Sequence, residues 1–116
     1  MLKLGTIGTG DIVRQFVKAA HSTKEYQLTT VYSRTIQAAQ AFASHYENVD
    51  CYTDMADFLT SDIDIIYIAS PNSLHFPQAK AAILASKHVI VEKPAVSRPE
   101  EWAELVTLAQ KQHVYI

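Results

Sequence analysis

Two glycines near the start of the chain, Gly8 and Gly10, follow a strand-like run and precede a helix-like one. A first glycine permits a tight turn, and a second lets the backbone approach a phosphate group closely. The helix that follows offers free N–H groups and a partial positive charge to that phosphate. We therefore interpret Gly8, Thr9, Gly10, Asp11 and Ile12 as a candidate dinucleotide-binding loop. An ordinary glycine turn is the alternative.

Val13 departs from this pattern, because the third position usually carries glycine or alanine so that helix and strand pack closely. A valine at this position predicts a slightly wider approach of the helix to the strand.

The end of the second predicted strand bears on the choice of cofactor. No acidic residue stands between Thr29 and Thr35 to bind the adenosine ribose hydroxyls of NAD. Ser33 and Arg34 stand there instead, and a guanidinium beside a hydroxyl suits the 2′-phosphate of NADP. The sequence slightly favours NADP over NAD. Alternatively, Arg34 is a solvated surface residue or stacks on adenine without selecting a cofactor.

A polar loop follows the most apolar predicted strand. Ligands of open parallel sheets bind just beyond the carboxyl ends of the strands, so Ser70, Pro71 and Asn72 are expected beside the cofactor. Asn72 would form a hydrogen bond with a ribose or a carboxamide, and Pro71 would constrain the turn. His75 is a further candidate contact, although a histidine satisfied by backbone groups is the favoured interpretation of it.

The next predicted strand ends in Glu92, Lys93 and Pro94. Lys93 is the candidate catalytic residue, because an ammonium group at this edge can stabilise a substrate oxygen that gains negative charge. The following proline constrains the Lys93 backbone and indicates a positioned side chain. A surface lysine opposite a glutamate is the alternative.

Alternating strand-like and helical segments predict the elements that position these residues. We expect a three-layer α/β/α Rossmann-type doubly wound parallel sheet in a single domain, residues 1–116. Predicted strands cover residues 2–7, 28–32, 51–52, 63–69 and 88–91. Predicted helices comprise one ending near residue 22, one with apolar positions from 36 to 46, and segments 55–59 and 77–86.

Two helix starts carry specific capping predictions. Thr53 is expected to cap the helix at residues 55–59. For the last helix, Ser97 to Glu100 matches a capping box with Pro99 in the first turn. Its predicted inward face carries Trp102, Leu105, Val106 and Ala109.

Composition excludes several classes of protein. The 116 residues are 48% hydrophobic, enough for one core, and the formal charge of −2 provides no positive field for nucleic acid or anionic lipid. Apolar runs are shorter than the roughly 20 residues that span a bilayer, so we predict a cytoplasmic protein without nucleic-acid or membrane partners. Cys51 is expected to be a small core residue, without a second cysteine to share a metal. The apolar end at residues 114–116 suggests an excised domain or a truncated product, cut before a C-terminal substrate domain.

In this order, the motifs resemble the N-terminal domain of the glucose–fructose oxidoreductase and inositol dehydrogenase family, Gfo/Idh/MocA. The resemblance covers the whole chain. Its specific parts are residues 4–10, Tyr32-Ser33-Arg34, Ser70-Pro71-Asn72 through His75, and above all Glu92-Lys93-Pro94.

The resemblance implies roles for the last motif. Lys93 would contact the reacting hydroxyl, Glu92 would lie near the nicotinamide ribose, and Pro94 would follow a cis peptide bond. The loop with Pro71, Asn72 and His75 would pass the nicotinamide end. Similar proteins oxidise a secondary alcohol of a sugar, polyol or diol, and their second domain supplies the substrate pocket, the acid–base histidine and much of the oligomer interface.

The leading hypothesis is therefore the cofactor domain of an NAD(P)-dependent dehydrogenase, inactive on its own and homo-oligomeric as the full-length protein. A non-catalytic sensor or regulatory module that binds NAD(P) is the alternative, because the fold alone does not determine function. A third hypothesis, another Rossmann group such as an amino-acid dehydrogenase, is disfavoured by Glu92-Lys93-Pro94.

Overall fold

A computed structural model of the chain describes residues 1–93 and 95–116. The described strands are β1 (Leu2–Ile7), β2 (Tyr26–Tyr32), β3 (Asp50–Tyr52), β4 (Ile65–Ile68) and β5 (His88–Val91). They form one five-stranded sheet in the order β3-β2-β1-β4-β5, and every pair is parallel. Because the chain first moves from β1 to one side and then returns to β4 on the other, the strand order reverses between β1 and β4.

Helices cover both faces of this sheet. They are α1 (Asp11–Ser22), α2 (Ile36–Ala43), α3 (Met55–Thr60), α4 (His75–Leu84) and α5 (Pro99–Gln112). On one face, α1 and α2 enclose a core with β1, β2 and β4, whereas α3, α4 and α5 enclose the other core. The predicted three-layer Rossmann-type fold is confirmed.

The four residues of β4 are all buried, because they lie in the interior of the sheet with helices on both faces. Ile66 and Ile68 belong to the core under α4 and α5, and Ile65 and Tyr67 belong to the core under α1. The alternation of a strand thus distributes one apolar run between two cores.

Several predicted boundaries are corrected by the structure. Strand β2 begins two residues earlier than predicted, at Tyr26, and β4 is shorter than the predicted run of residues 63–69. Helix α4 begins at His75 instead of Pro77, after a 3₁₀ turn at Asn72–Leu74. Pro77 therefore lies within the first helical turn, where its missing N–H leaves no hydrogen bond unmade.

Both capping predictions were wrong in detail. Asp54, not Thr53, caps α3, and its Oδ1 accepts from the Asp57 N–H at 3.0 Å. At α5 the residue that precedes the helix is Arg98, and Glu101 reaches back in place of Glu100. Oε1 of Glu101 accepts from the backbone N–H groups of Ser97 and Arg98, each at 3.2 Å.

The inward face of α5 also differs from the prediction. Leu105 and Ala109 are buried as expected, and Val106 is half-buried, but Trp102 is 40% exposed. Cys51 is half-buried at the edge of the α1 and α2 core, and this burial raises the pKa of its thiol.

The strand-like residues at the end of the chain lie beside β5 without forming a strand. The Val89 N–H donates to the Tyr115 carbonyl at 3.0 Å, and the Tyr115 N–H donates to Nδ1 of His88 at 2.9 Å. Among the described residues, no helix is long and apolar enough to cross a membrane.

Candidate cofactor site

The turn after β1 requires glycine at position 8. Gly8 has a φ of 118°, a conformation that residues with a side chain rarely adopt. A Cβ at this position would lie 3.1 Å from the Ala69 carbonyl oxygen. The Gly8 N–H donates to the Tyr32 carbonyl at 3.2 Å, so the turn is tied to the end of β2.

Gly10 stands at the N-terminus of α1 under different constraints. Its φ of −79° suits any residue, and a Cβ built on it meets no atom of the described residues within 4 Å. Neither conformation nor packing therefore requires glycine here. This open space lies at the N-cap of a 12-residue helix, and the first N–H groups of a helix are a common binding site for phosphate.

The other residues of the candidate loop lie around this helix start. Thr9 is half-buried, whereas Asp11 and Ile12 are exposed. Val13 is buried, and its Cγ2 lies 3.4 Å from the position that a Cβ on Gly8 would occupy. The glycine turn thus packs directly against the valine that departs from the usual pattern.

A cavity of about 140 Å³ joins the ends of β1, β2 and β4. Five of its lining residues were predicted as contacts, namely Gly8, Ser33, Arg34, Ser70 and Pro71. Arg34 is exposed and forms no ion pair within the described part of the chain, so its guanidinium is available to an anion. Ser33 is held by its N–H, which donates to the Tyr52 carbonyl at 3.1 Å.

The loop after β4 is held from below by a histidine. His75 is fully buried, and its Nε2 lies 2.8 Å from the Ser70 carbonyl oxygen. The Ser70 hydroxyl donates to the Gln78 side chain on α4. This geometry fits a histidine satisfied by the backbone, as the sequence favoured, while Pro71 and Asn72 lie exposed above it.

Glu92 and Lys93 follow β5 at the same edge of the sheet. The Glu92 N–H donates to the Ile68 carbonyl at 3.0 Å, and Lys93 is exposed. Pro94, the third residue of this predicted motif, lies outside the described residues. The Glu92 carboxylate accepts a hydrogen bond from the Tyr67 hydroxyl at 2.7 Å.

Tyr67 is the residue near this site that sequence reasoning missed. Desolvation, together with the hydrogen bond to Glu92, raises the pKa of its hydroxyl far above the usual value. The available signal was a single hydroxyl in an otherwise aliphatic buried strand, since a buried tyrosine hydroxyl usually requires a partner. The strand pattern does not reveal which partner it finds, 25 residues away.

A larger cavity, of about 550 Å³, lies between α1 and the segment after α2. Arg14, Lys18, His21 and His45 line it, and of the predicted contacts it includes Asp11 alone. Because the glycine turn and the ends of β2 and β4 line the smaller cavity instead, we take the smaller cavity as the candidate site.

Comparison with known proteins agrees with this fold. Residues 2–116 match the model of an oxidoreductase family with an NAD-binding Rossmann fold, Gfo/Idh/MocA. The chain is 41% identical to the uncharacterized oxidoreductase YgjR of Escherichia coli K12 and 36% identical to the scyllo-inositol 2-dehydrogenase (NADP(+)) IolU of Bacillus subtilis 168. Each alignment covers 100% of this chain and 36% of the relative.

A solved structure shows the same fold. The WlbA dehydrogenase of Bordetella pertussis, crystallised with NADH and UDP-GlcNAcA, matches with a TM-score of 0.88 at 25% identity. The match covers 97% of this chain and 34% of that one. The chain thus spans little more than a third of the length of the proteins it resembles.

Proposed function

Because the chain belongs to the Gfo/Idh/MocA oxidoreductase family, we propose that it binds NADP or NAD at the carboxyl edge of its sheet. In the whole protein, this domain would serve the oxidation of a secondary alcohol in a sugar, polyol or diol. The observation that carries the proposal is the open space at Gly10, the residue at the N-cap of α1.

The predicted contact residues at this edge of the sheet would divide a dinucleotide between them. The loop from Gly8 to Ile12 would hold the pyrophosphate, with Gly10 allowing its close approach. Ser33 and Arg34 would hold the adenosine ribose and its 2′-phosphate. Asn72 and the exposed part of its loop would face the nicotinamide end of the cofactor. His75 supports this loop through its hydrogen bond to the Ser70 carbonyl.

The cofactor we favour is NADP. Arg34 lines the cavity at the end of β2, and its guanidinium forms no ion pair among the described residues. No aspartate or glutamate of the described residues lines this cavity. The inositol dehydrogenase relative is named for NADP, whereas the WlbA structure contains NADH. Family membership thus leaves both cofactors open, and Arg34 is the residue that argues for NADP.

In the reaction, a bound nicotinamide would supply the acceptor for the hydride that leaves the alcohol carbon. Lys93 would donate to the alcohol oxygen and stabilise the negative charge that develops there. Its side chain is exposed at the sheet edge, directly after the tethered Glu92. A base outside these 116 residues would take the hydroxyl proton.

Activity of the whole protein tests this role of Lys93. We expect reduction of NADP in the presence of a panel of inositols, sugars and diols, followed by the absorbance of the reduced nicotinamide. Lys93→Ala should lower kcat about 100-fold while the Kd for NADP stays within about twofold. Lys111→Ala, which removes an exposed lysine from α5, is the matched control and should retain activity.

The same assay distinguishes an enzyme from a sensor. Tight NADP binding without oxidation of any alcohol would contradict the dehydrogenase proposal and favour a regulatory module. A C-terminal substrate domain, homo-oligomeric assembly and a cytoplasmic location stay predictions that this assay does not test.

A further inference from the structure

One polar side chain stands out in the buried strand β4. Tyr67 is 1% exposed, and its neighbours in β4 are isoleucines. Its hydroxyl donates to Oε2 of Glu92 at 2.7 Å, and Glu92 directly follows the neighbouring strand β5. A hydrogen bond to a charged group in a partly buried setting is among the stronger ones in proteins.

The ring of Tyr67 is also held in place. Phe16 of α1 stacks on it with a centroid distance of 3.9 Å and an interplanar angle of 8°. Phe16 lies six residues, or about 1.7 turns, after Gly10, on the helix whose N-terminus would face the pyrophosphate. The stacked rings thus connect the phosphate-binding helix to Glu92.

Glu92 itself is tethered twice to β4. Its N–H donates to the Ile68 carbonyl at 3.0 Å, and its Oε2 accepts from Tyr67. Its second carboxylate oxygen, Oε1, accepts no hydrogen bond from the described part of the chain, and the residue is only half-buried. One oxygen is therefore used for positioning, and the other is available to a ligand hydroxyl.

We propose that Tyr67 is a positioning residue that orients the Glu92 carboxylate toward the hydroxyls of the nicotinamide ribose. This inference rests on the proposed function and adds a residue to it. The Tyr67 proton is committed to the carboxylate, so Tyr67 acts through Glu92 and not by contact with the cofactor. With Glu92 fixed at both backbone and side chain, the adjacent Lys93 starts from a defined position.

The test compares two ligands of different reach. NADP extends to Glu92, whereas adenosine 2′,5′-bisphosphate lacks the nicotinamide, its ribose and the second phosphate of the bridge. Calorimetry should show that Tyr67→Phe weakens NADP binding about threefold to tenfold. Binding of the bisphosphate should stay within about twofold. Phenylalanine retains the stacked ring, so the change isolates the hydroxyl.

A double-mutant cycle tests whether Tyr67 acts through Glu92. Glu92→Ala should weaken NADP binding at least as much as Tyr67→Phe, and the double variant should bind no worse than Glu92→Ala alone. In a Glu92→Gln background, Tyr67→Phe should still weaken NADP binding, though by less than in the unmodified chain, because an amide oxygen still accepts a hydrogen bond from a phenol. Tyr115→Phe removes a hydroxyl from a residue that is 82% exposed and is the matched control.

Four outcomes would overturn the inference. Equal weakening of NADP and the bisphosphate would indicate a general structural effect of Tyr67, and additive losses in the cycle would show that it acts independently of Glu92. Unchanged NADP affinity in Tyr67→Phe would remove the positioning role while the proposed function stands. If the unmodified chain bound neither ligand, the proposed function itself would fail, and this inference with it.

Discussion

Nε2 of His75 lies 2.8 Å from the carbonyl oxygen of Ser70, five residues earlier in the chain. Because a carbonyl only accepts, Nε2 must carry the proton and donate it. The buried imidazole thereby links the start of α4 to the first residue of the loop after β4. The loop at the proposed nicotinamide end is held by the core of the domain.

Replacement of His75 tests this support. His75→Leu retains the approximate size of the side chain but removes its ring nitrogens, which leaves the Ser70 carbonyl without a donor. We therefore expect the free energy of unfolding to fall by about 1–3 kcal/mol. Urea denaturation measures it. His45→Leu, at an exposed position, should change stability by less than about 0.5 kcal/mol. Equal stability of the two variants would show that the bond contributes nothing.

A substitution at Gly8 should destabilise the fold without any ligand present. Gly8→Ala forces a side chain onto a φ of 118° and places its Cβ 3.1 Å from the Ala69 carbonyl. We expect a loss of about 1–3 kcal/mol in the free energy of unfolding, because that backbone region is nearly restricted to glycine. Gly10→Ala is the control. If the two variants had the same free energy of unfolding, the turn at Gly8 would not be strained by a side chain.

Arg34 should distinguish the two cofactors. Arg34→Ala removes the proposed partner of the 2′-phosphate, so NADP affinity should fall about tenfold to 100-fold while NAD affinity changes little. Isothermal titration with both cofactors measures the difference. Lys111→Ala removes an exposed cation on α5 that does not line the cavity and should leave both affinities unchanged. Equal losses for NADP and NAD would instead indicate stacking on adenine.

Ionisation of Tyr67 should lower the free energy of unfolding at alkaline pH. Burial and the Glu92 carboxylate hold its pKa above the usual value of 10.0. The unfolded chain then releases this proton at a lower pH than the folded protein does. The contribution of Tyr67 is fully present below about pH 10 and declines as the pH rises further.

Urea denaturation between neutral pH and the alkaline limit measures this decline. Tyr67→Phe lacks the ionisable group and should lose less stability over the same interval, whereas Tyr115→Phe should behave like the unmodified chain. Identical slopes for all three proteins would contradict a raised pKa at Tyr67.

The arrangement of the elements follows from local sequence patterns. The alternation of apolar strands and amphipathic helices predicts the three layers. Gly8 predicts the turn because glycine readily adopts a positive φ, which is 118° here. In parallel sheets the carboxyl ends of the strands meet at one edge, so the ends of β1, β2 and β4 could be expected around a shared cavity.

The side-chain partners do not follow from local patterns. Tyr67 and Glu92 are 25 residues apart, and their contact depends on the register of β4 against β5. Trp102 was predicted from its helical spacing to face inward with Leu105 and Ala109, yet only Leu105 and Ala109 of these three are buried. A one-dimensional pattern gives the width of an apolar face but not the rotation of the helix about its axis.

The most direct test of the account is calorimetric titration of the chain and of Gly10→Val with NADP. Because the space at Gly10 is open to a Cβ and its φ suits any residue, the variant should fold and lose no more than about 1 kcal/mol in the free energy of unfolding, since valine is a poorer N-cap residue than glycine. We predict that the unmodified chain binds NADP, more tightly than NAD, and that Gly10→Val loses this binding since its side chain fills the place of the pyrophosphate. Equal affinity of the variant and the unmodified chain, or no binding by either, would contradict a dinucleotide site at this helix.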